Sequence, residues 1–303
     1  MAAFTTFSSE ALERYLVMFG RGRLKDFKPT PGGIENSNYF VDLDNGGSIS
    51  SFVLTIMESH GFDDMPFFNK VMTQLKHHGL PVASPVMTLD GMTSTIFCGK
   101  PAFLIERLPG EHLETIDAAH CEVMGRFIAS SHRALGEISL ERENPYDLNW
   151  MQDRIRQLPD SVSAVDRALL TELAARYEEL LQQDLPRGLI HGDLFQDNAL
   201  FAGGELTGVI DFYHACTDML IQDLAIAIND WCLDDNRRLD TAKRDAMMRG
   251  YEGVRALSEE ESASLLSLQQ VSAARFALTR IDSGDPPLKN PREMLDLAVH
   301  LMP

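Results

Sequence analysis

Cysteine is scarce in this sequence, and its spacing matches neither a metal site nor a redox motif. The four thiols, Cys98, Cys121, Cys216 and Cys232, are scattered through 303 residues. Such usage favours unpaired thiols in a reducing compartment over a disulfide framework or a zinc site. The first residues have neither the basic segment nor the apolar core of a secretory signal. We therefore expect a cytoplasmic protein without disulfides.

Long apolar runs and basic charge are also in short supply. No stretch approaches the roughly 20 apolar residues that a membrane-spanning helix needs. The sequence has 27 Lys and Arg against 45 Asp and Glu, a net charge of −18. A surface this acidic repels phosphate backbones and anionic lipid, so we expect neither nucleic acid nor membranes as partners. Any polyanion that binds would have to be held by local charge, backbone N–H groups or a bridging cation.

Apolar residues, in contrast, suffice for two cores. With 44% hydrophobic and 24% charged residues over this length, the composition is typical of a globular protein with two domains or lobes. The first third is β-rich, because alternation and turn residues predict strands in GIENSNYFVDL, SFVLTIME, SPVMTL and STIFCGKPAFLIE. Between the second and third of these strands, PFFNKVMTQLKHHG has the apolar spacing of a helix.

The pattern changes at residues 106–110, which read ERLPG. We interpret them as a hinge between an N-terminal lobe at 1–105 and a C-terminal lobe at 111–303. The second lobe is mostly helical. It contains a predicted helix from Thr115 or Asp117 to about Leu135, another over 165–183, and further helices after about Met219. A small β-rich lobe and a larger α-rich lobe form an α+β pattern.

One constellation in the second lobe indicates chemistry. His191, Asp193 and Asn198 have the spacing H-x-D-x-x-x-x-N, and Asp211 follows thirteen residues after Asn198. Phosphoryl transfer uses a loop carboxylate to accept a hydroxyl proton, while an amide oxygen and a second carboxylate hold Mg²⁺ on nucleotide phosphates. A hairpin turning at Gly203-Gly204 would bring Asn198 and Asp211 to one end. We predict that Asp193 is catalytic, that Asn198 and Asp211 are metal ligands, and that His191 braces the loop.

These residues resemble the aminoglycoside phosphotransferase and choline kinase superfamily, whose members have a two-lobed protein-kinase-like fold. Within it, the sequence is similar to the bacterial homoserine kinases. The resembling segments occur in the same order along nearly the whole chain: GIENSNYFV, FVLTIME, KPAFLIERLPG, HGDLFQDNALF, GVIDFYHACTD, DLAIAINDWC and ARFALTR. The resemblance implies ATP and Mg²⁺ as cofactors, and phosphorylation of L-homoserine to O-phospho-L-homoserine on the route to threonine. It leaves the oligomeric state open.

The resemblance also implies a nucleotide site. The first hairpin would lie over the phosphates, where small and polar residues let backbone N–H groups approach an anion; an ordinary turn is the alternative. In the hinge, the backbone of Glu106 and Leu108 would meet the adenine edge. Asp223 matches the structural aspartate that fixes the catalytic loop. The hairpin residues predicted to bind the cofactor are Gly33, Asn36, Ser37 and Asn38, beside Gly32.

One departure from the kinase pattern concerns the strand that normally carries a basic residue to the phosphates. Here the strand reads FVLTIM, with Thr55 near the expected basic position, and the next helix has Phe67 and Asn69 where an acid would lie. The usual lysine–glutamate pair is therefore absent from the sequence. The resembling homoserine kinases also have VLT in this strand, so the gap fits that group.

Homoserine is a zwitterion and needs one receptor for each charge. Asp230, two helical turns after Asp223, is predicted to pair with the substrate ammonium, with a solvated or capping role as the alternative. Arg275 and Arg280 are predicted to bind the carboxylate, because a guanidinium binds it bidentately; surface or interlobe ion pairs are the alternative. The competing functions are a kinase of choline, ethanolamine or an aminoglycoside, and a catalytically silent pseudokinase that acts as a binding module.

Overall fold

The computed structural model describes residues 4–31, 35–283 and 289–302. The chain divides into two compact units, one of Met1–Gly110 with Thr207–Ile210, and one of Glu111–Leu206 with Asp211–Pro303. The first is built mainly of strands and the second mainly of helices, which confirms the predicted α+β fold. That the first unit binds nucleotide, and that residues 106–110 act as a hinge, remain predictions.

The first unit contains one antiparallel sheet with the strand order β1-β2-β3-β5-β4. A helix precedes the sheet and another is inserted between its third and fourth strands. The elements are α1 (Ser9–Leu16), β1 (Arg23–Pro29), β2 (Ser37–Asn45), β3 (Ser48–Ile56), α2 (Met65–His77), β4 (Thr95–Phe97) and β5 (Lys100–Glu106).

Alternation along the strands separates the two faces of this sheet. On β2, Tyr39, Val41 and Leu43 are buried and join the core that α1 covers with Leu12 and Leu16. The neighbouring side chains on each strand point to the opposite face, because successive residues of a strand alternate. Asn38 and Phe40 of β2 therefore face the same way as Thr55, which lies opposite Asn38 in the register.

The predicted strands of the first unit are largely confirmed. DNGGS forms the β2–β3 turn, in which Gly46 and Gly47 both have the positive φ that a two-residue hairpin requires. The strand predicted for SPVMTL is wrong, since only an isolated bridge between Pro85 and Ile105 forms there. Pro85 has no N–H to donate, which limits strand pairing. The edge strand β1 was not predicted, because four of its seven residues are charged and hide the alternation.

The second unit consists mainly of helices and contains the motif-bearing loop. In chain order it contains α3 (Ala118–Leu135), α4 (Leu148–Arg156), α5 (Ala164–Leu181), β6 (Arg187–Ile190), β7 (Ala199–Ala202), β8 (Glu205–Val209), β9 (Cys216–Met219), α6 (Ile221–Trp231), α7 (Thr241–Glu252), α8 (Glu259–Asp282) and α9 (Arg292–His300). Two small sheets complete it: β6 pairs with β9, and β7 pairs with β8 in a hairpin. The last residues of β8, Thr207–Val209, belong to the first unit.

The helices predicted for this unit are confirmed. Asp117 caps α3 by accepting the His120 N–H, and α5 spans most of the predicted 165–183 helix. Glycines allow α3 and α7 to pack backbone to backbone: a Cβ on Gly125 would lie 2.0 Å from the Met247 carbonyl oxygen. The central helix α6 is buried on nearly every side. Among the described residues, no helix is both long and apolar enough to cross a membrane.

Candidate functional site

The loop between β6 and β7 contains the motif, and hydrogen bonds from Asn198 to Asp193 stabilise it. The Asn198 side-chain amide donates to the Asp193 backbone carbonyl at 2.7 Å and to the Asp193 carboxylate at 3.0 Å. Both amide hydrogens of Asn198 are thereby used, and its carbonyl oxygen Oδ1 is the atom left to accept a cation. Asp193 itself is half-buried, so its carboxylate is oriented by the protein and still accessible.

The beginning of this loop is anchored by Asp223 on α6. The two carboxylate oxygens of Asp223 accept the backbone N–H groups of His191 and Gly192, each at 2.8 Å. The buried His132 ring of α3 lies 3.2 Å from the same carboxylate, and its other nitrogen is 3.0 Å from the Tyr251 hydroxyl. Asp223 is fully buried, at 0% exposure. A buried carboxylate that accepts two backbone N–H groups of the loop is what the predicted structural role of Asp223 requires.

The charge of Asp223 is stabilised despite its burial. Burial alone would raise the pKa of this carboxyl, but the hydrogen bond and charge of His132, the charge of His191 and the Gly192 N–H together lower it. Because the pKa is lower in the folded state than in the unfolded state, Asp223 stabilises the fold at neutral pH. That contribution is lost as the pH falls through the folded-state pKa.

Replacing Asp223 by alanine should destabilise the protein strongly. The change would leave two backbone N–H groups and the His132 ring without their shared acceptor in a buried place. Breaking a buried pair of this kind costs about 3–5 kcal/mol. Urea unfolding at pH 7.5 should show this loss. A difference below about 1 kcal/mol would mean that Asp223 does not hold the loop.

The segment that follows β8 packs directly on the start of the loop. The His191 ring lies 4.5 Å from the Phe212 ring, and a Cβ on Gly192 would meet the His214 carbonyl at 2.9 Å. Asp211 begins this segment with a positive φ of 65°, a conformation that non-glycine residues rarely adopt. Asn198 and Asp211 flank the β7–β8 hairpin, as the sequence predicted. Asn198, which is hydrogen-bonded to Asp193, therefore precedes the hairpin, and Asp211 follows it.

The later part of the loop is also held by α6. The Asp230 carboxylate accepts the backbone N–H of Gln196 at 2.7 Å, and the Trp231 indole N–H donates to the Leu194 carbonyl at 3.1 Å. Burial raises the pKa of Asp230 to about 6, against the lowering effect of the Gln196 hydrogen bond. Above that pH the side chain is a carboxylate. One helix thus anchors the loop at both ends, through Asp223 and through Asp230 with Trp231.

The two arginines predicted from ARFALTR have different environments. Arg275 is 6% exposed and donates to the Gly192 carbonyl at 2.7 Å. The Arg280 side chain is 10% exposed and donates to the Asn290 carbonyl at 2.9 Å and to the Glu293 carboxylate at 3.0 Å. The structure does not bring the two guanidinium groups to a shared partner among the described residues.

In the first unit, the residues predicted to bind nucleotide divide between the two faces of the sheet. The Ser37 hydroxyl accepts from Phe4 and Thr5 N–H and donates to Glu58, which also pairs with Lys100. These contacts use the full hydrogen-bonding capacity of the hydroxyl, so Ser37 could offer only its backbone to a phosphate. Asn38 lies on the opposite face.

The other residues predicted to contact the nucleotide make fewer side-chain hydrogen bonds than Ser37 among the described residues. The Asn36 side-chain carbonyl accepts the Glu58 N–H at 3.3 Å. At the end of β5, the Glu106 side chain is exposed and pairs with Lys76, and Leu108 is half-buried. The predictions for Gly32 and Gly33 lie outside the described residues. The roles of all these residues toward a nucleotide remain predictions.

Two anchors of the motif-bearing loop were not predicted from the sequence. His132 lies on the apolar face of α3 and contacts Asp223, and Trp231 ends α6 with its indole directed at Leu194. The signal for His132 was present, because a polar side chain on a buried helix face needs a partner. Nothing local in the sequence indicates which residue that partner is.

Comparison with known proteins identifies the class that this fold and loop define. The family model described as the phosphotransferase enzyme family (APH) matches residues 26–257, and the chain belongs to this family. Solved structures of the same fold include an amicoumacin kinase (TM-score 0.75, 15% identity, 97% of this chain and 92% of that one). A microcompartment-associated aminopropanol kinase also matches (TM-score 0.69, 17% identity, 97% and 95%).

Curated relatives narrow the comparison to one activity. The chain is 38% identical over 289 residues to a homoserine kinase of Pseudomonas aeruginosa, covering 94% of this chain and 90% of the relative. It is 37% identical over 282 residues to a homoserine kinase of Neisseria meningitidis serogroup B, covering 93% and 91%. The similarity to both relatives therefore extends over nearly the whole length of each protein.

Proposed function

We propose that this protein is a homoserine kinase, which transfers the γ-phosphoryl group of ATP to the hydroxyl of L-homoserine. The observation that carries the proposal is the near full-length similarity to homoserine kinases, combined with an intact Asp193, Asn198 and Asp211. The products are O-phospho-L-homoserine and ADP. We place this reaction in threonine biosynthesis and in the cytoplasm.

The chemistry assigned to the loop follows from its hydrogen bonds. In the transfer, the substrate oxygen forms a bond to the γ-phosphorus, the bond from that phosphorus to the ADP oxygen breaks, and the hydroxyl proton goes to Asp193. The Asp193 carboxylate is suited to receive it because Asn198 fixes its orientation. Since α6 anchors the loop at both ends, little reorganisation would be needed when the substrate arrives.

We propose Mg²⁺ as the metal ion, held by the Asn198 side-chain oxygen and the Asp211 carboxylate. These are the oxygen donors that Mg²⁺ prefers, and the remaining positions would be taken by phosphates and water. Among the residues that the structure describes, no group of three or more His, Cys, Asp or Glu side chains could hold a metal. The strand around Thr55 has no lysine that could neutralise phosphate charge. When bound, the ion would neutralise that charge.

For the substrate, we propose that Asp230 receives the ammonium group and Arg280 the carboxylate. Asp230 is ionised above a pKa of about 6 and lies against the catalytic loop. The Arg280 residue is half-buried, and its present partners are the Asn290 carbonyl and the Glu293 carboxylate. A substrate carboxylate could replace Glu293 as a partner, because both groups offer the same acceptor geometry.

Arg280 can be tested by comparing homoserine with homoserinol, which lacks the carboxylate. The variant Arg280→Ala should lose about 1.5–3 kcal/mol of binding to the transition state, or some ten- to a hundredfold in kcat/KM on homoserine. Its weak activity on homoserinol should stay unchanged. Arg292→Ala is the matched control, because Arg292 is exposed and its ion pairs among the described residues are with Asp166 and Asp296. Equal losses on both substrates would remove Arg280 as the carboxylate receptor.

The function as a whole is tested by ADP release measured across a panel of alcohols. The panel contains homoserine, choline, ethanolamine, methylthioribose and an aminoglycoside, each with ATP and Mg²⁺. We expect the highest kcat/KM on homoserine. A higher value on choline or an aminoglycoside would assign the protein to another branch of its family, and no ADP release with any acceptor would favour a silent pseudokinase.

A further inference from the structure

We propose that Arg275 is a positioning residue that fixes the peptide bond immediately before Asp193 and so directs the Asp193 carboxylate. This inference rests on the proposed function, since it assigns to Arg275 a part in the same transfer. The sequence had suggested a different role for Arg275, that of binding the substrate carboxylate. Three observations favour positioning.

The first observation is the hydrogen bonding of the Gly192–Asp193 peptide. Its carbonyl oxygen accepts from the Arg275 guanidinium at 2.7 Å, and its N–H donates to the His191 ring at 3.2 Å. The preceding N–H, that of Gly192, is held by Asp223. With both ends of the peptide unit bound, the backbone that leads into Asp193 has a fixed orientation. Arg275 is the only described side chain that holds the carbonyl end.

The second observation is that the guanidinium lies over two aromatic rings. Its central carbon lies 4.1 Å from the centre of the Tyr146 ring and 4.0 Å from that of Phe276. Phe276 in turn packs edge-on against Phe195 of the catalytic loop, at 4.5 Å between ring centres. Adjacent residues of α8 therefore contact two points of the loop. A flat, stacked cation that donates one directed hydrogen bond is a task for arginine and not for lysine.

The third observation is that the described cavity beside Arg275 is too small for a substrate carboxylate. The adjoining cavity, lined by Gly192, His214, Gln222 and Arg275 among others, has about 10 Å³ of free space. That is about the space of one water molecule. Within the described part of the chain, the Arg275 Nε and the Gln222 side-chain oxygen have no hydrogen-bond partner. A water molecule has room in a cavity of this size, whereas the carboxylate of an amino acid would not fit.

The two roles of Arg275 predict different kinetics. A positioning residue acts on the transition state, so its loss lowers kcat and leaves the KM values for ATP and acceptor nearly unchanged. It acts equally on homoserine and on homoserinol, because both have the hydroxyl that Asp193 must reach. A carboxylate receptor would affect homoserine alone and chiefly through KM.

The test uses Arg275→Met, which keeps the apolar stem and removes every side-chain donor, and Arg275→Lys, which keeps a charged donor group without the planar guanidinium. We expect Arg275→Met to lower kcat some ten- to a hundredfold on both acceptors, and Arg275→Lys to recover part of that loss. The control is Arg176→Met, which removes another arginine that contacts α8, through Gln270, five positions before Arg275. It should keep the wild-type kcat. Urea unfolding of each variant separates loss of fold from loss of rate.

Several outcomes would overturn the proposal. They are a loss confined to homoserine, a rise in KM at constant kcat, or unchanged kinetics in Arg275→Met. If Arg275→Met does not fold, the comparison is made on Arg275→Lys, where the same split between kcat and KM decides. If wild-type protein does not phosphorylate homoserine, the proposed function has failed. The Arg275 variants are then measured on the panel acceptor with the highest turnover, so the two failures are distinguishable.

Discussion

Replacing Asp193 by asparagine is expected to lower kcat by about a hundred- to ten-thousandfold, the usual contribution of a general base. The amide cannot accept the hydroxyl proton, although it has nearly the shape of the carboxylate. Asn198 contacts Asp193 through both the backbone carbonyl and the side chain, so the backbone contact would survive the change. Nucleotide affinity should therefore change little.

The Asp193→Asn experiment needs kcat from steady-state turnover and the dissociation constant of Mg·ATP from calorimetry. Asp197→Asn is the matched control, because Asp197 lies on the same loop, is exposed and pairs with Lys289. We expect the control to retain wild-type turnover. Near-normal kcat in Asp193→Asn would show that Asp193 is not the base.

Replacing Asp211 by asparagine is expected to weaken Mg·ATP binding and turnover together. Changes outside the direct ligands of a metal cost about ten- to a hundredfold in affinity, so the loss of a charged ligand should cost more than about a hundredfold. Asparagine is preferred to alanine here because Asp211 has a positive φ of 65°, which asparagine tolerates better. The substitution thus changes the charge with little added backbone strain.

The measurement for Asp211 is a Mg²⁺ titration of turnover, combined with ATP binding in the presence of EDTA. Wild-type protein should bind ATP poorly without the cation, because its net charge is −18 and its strand lysine is absent. Asp211→Asn should need far more Mg²⁺ for half-maximal rate. If wild-type protein bound ATP equally well in EDTA, the metal role of Asn198 and Asp211 would have to be abandoned.

The elements that could be predicted from the sequence are those whose signal is local. Helix α3 has a capping aspartate and a regular apolar stripe, and the β2–β3 hairpin has a Gly-Gly turn between alternating strands. Strand β1 has no such signal, because it is an exposed edge strand with charges along its length. Strand β9 was assigned to neither strand nor helix, because its four residues pair with β6, which is distant in sequence.

The same distinction applies to the site. The spacing of His191, Asp193 and Asn198 is a local pattern, and the hairpin predicted after it, between Asn198 and Asp211, is confirmed. The guanidinium of Arg275 reaches Gly192 across 83 positions of sequence. Its environment depends on how α8 packs against the loop, and no local pattern encodes that packing. An arginine in the sequence therefore indicated a cation, but not whether its partner is a substrate or a backbone carbonyl.

The central claim, that the Asp193 loop transfers phosphate to the homoserine hydroxyl, is tested most directly by ³¹P NMR of the product. Wild-type protein incubated with ATP, Mg²⁺ and L-homoserine should produce ADP and one new phosphomonoester signal, coupled to the protons of the carbon that bore the hydroxyl. Asp193→Asn should produce that signal at a small fraction of the rate. A phosphorus signal attached to any other atom, or inorganic phosphate in place of the monoester, would contradict it.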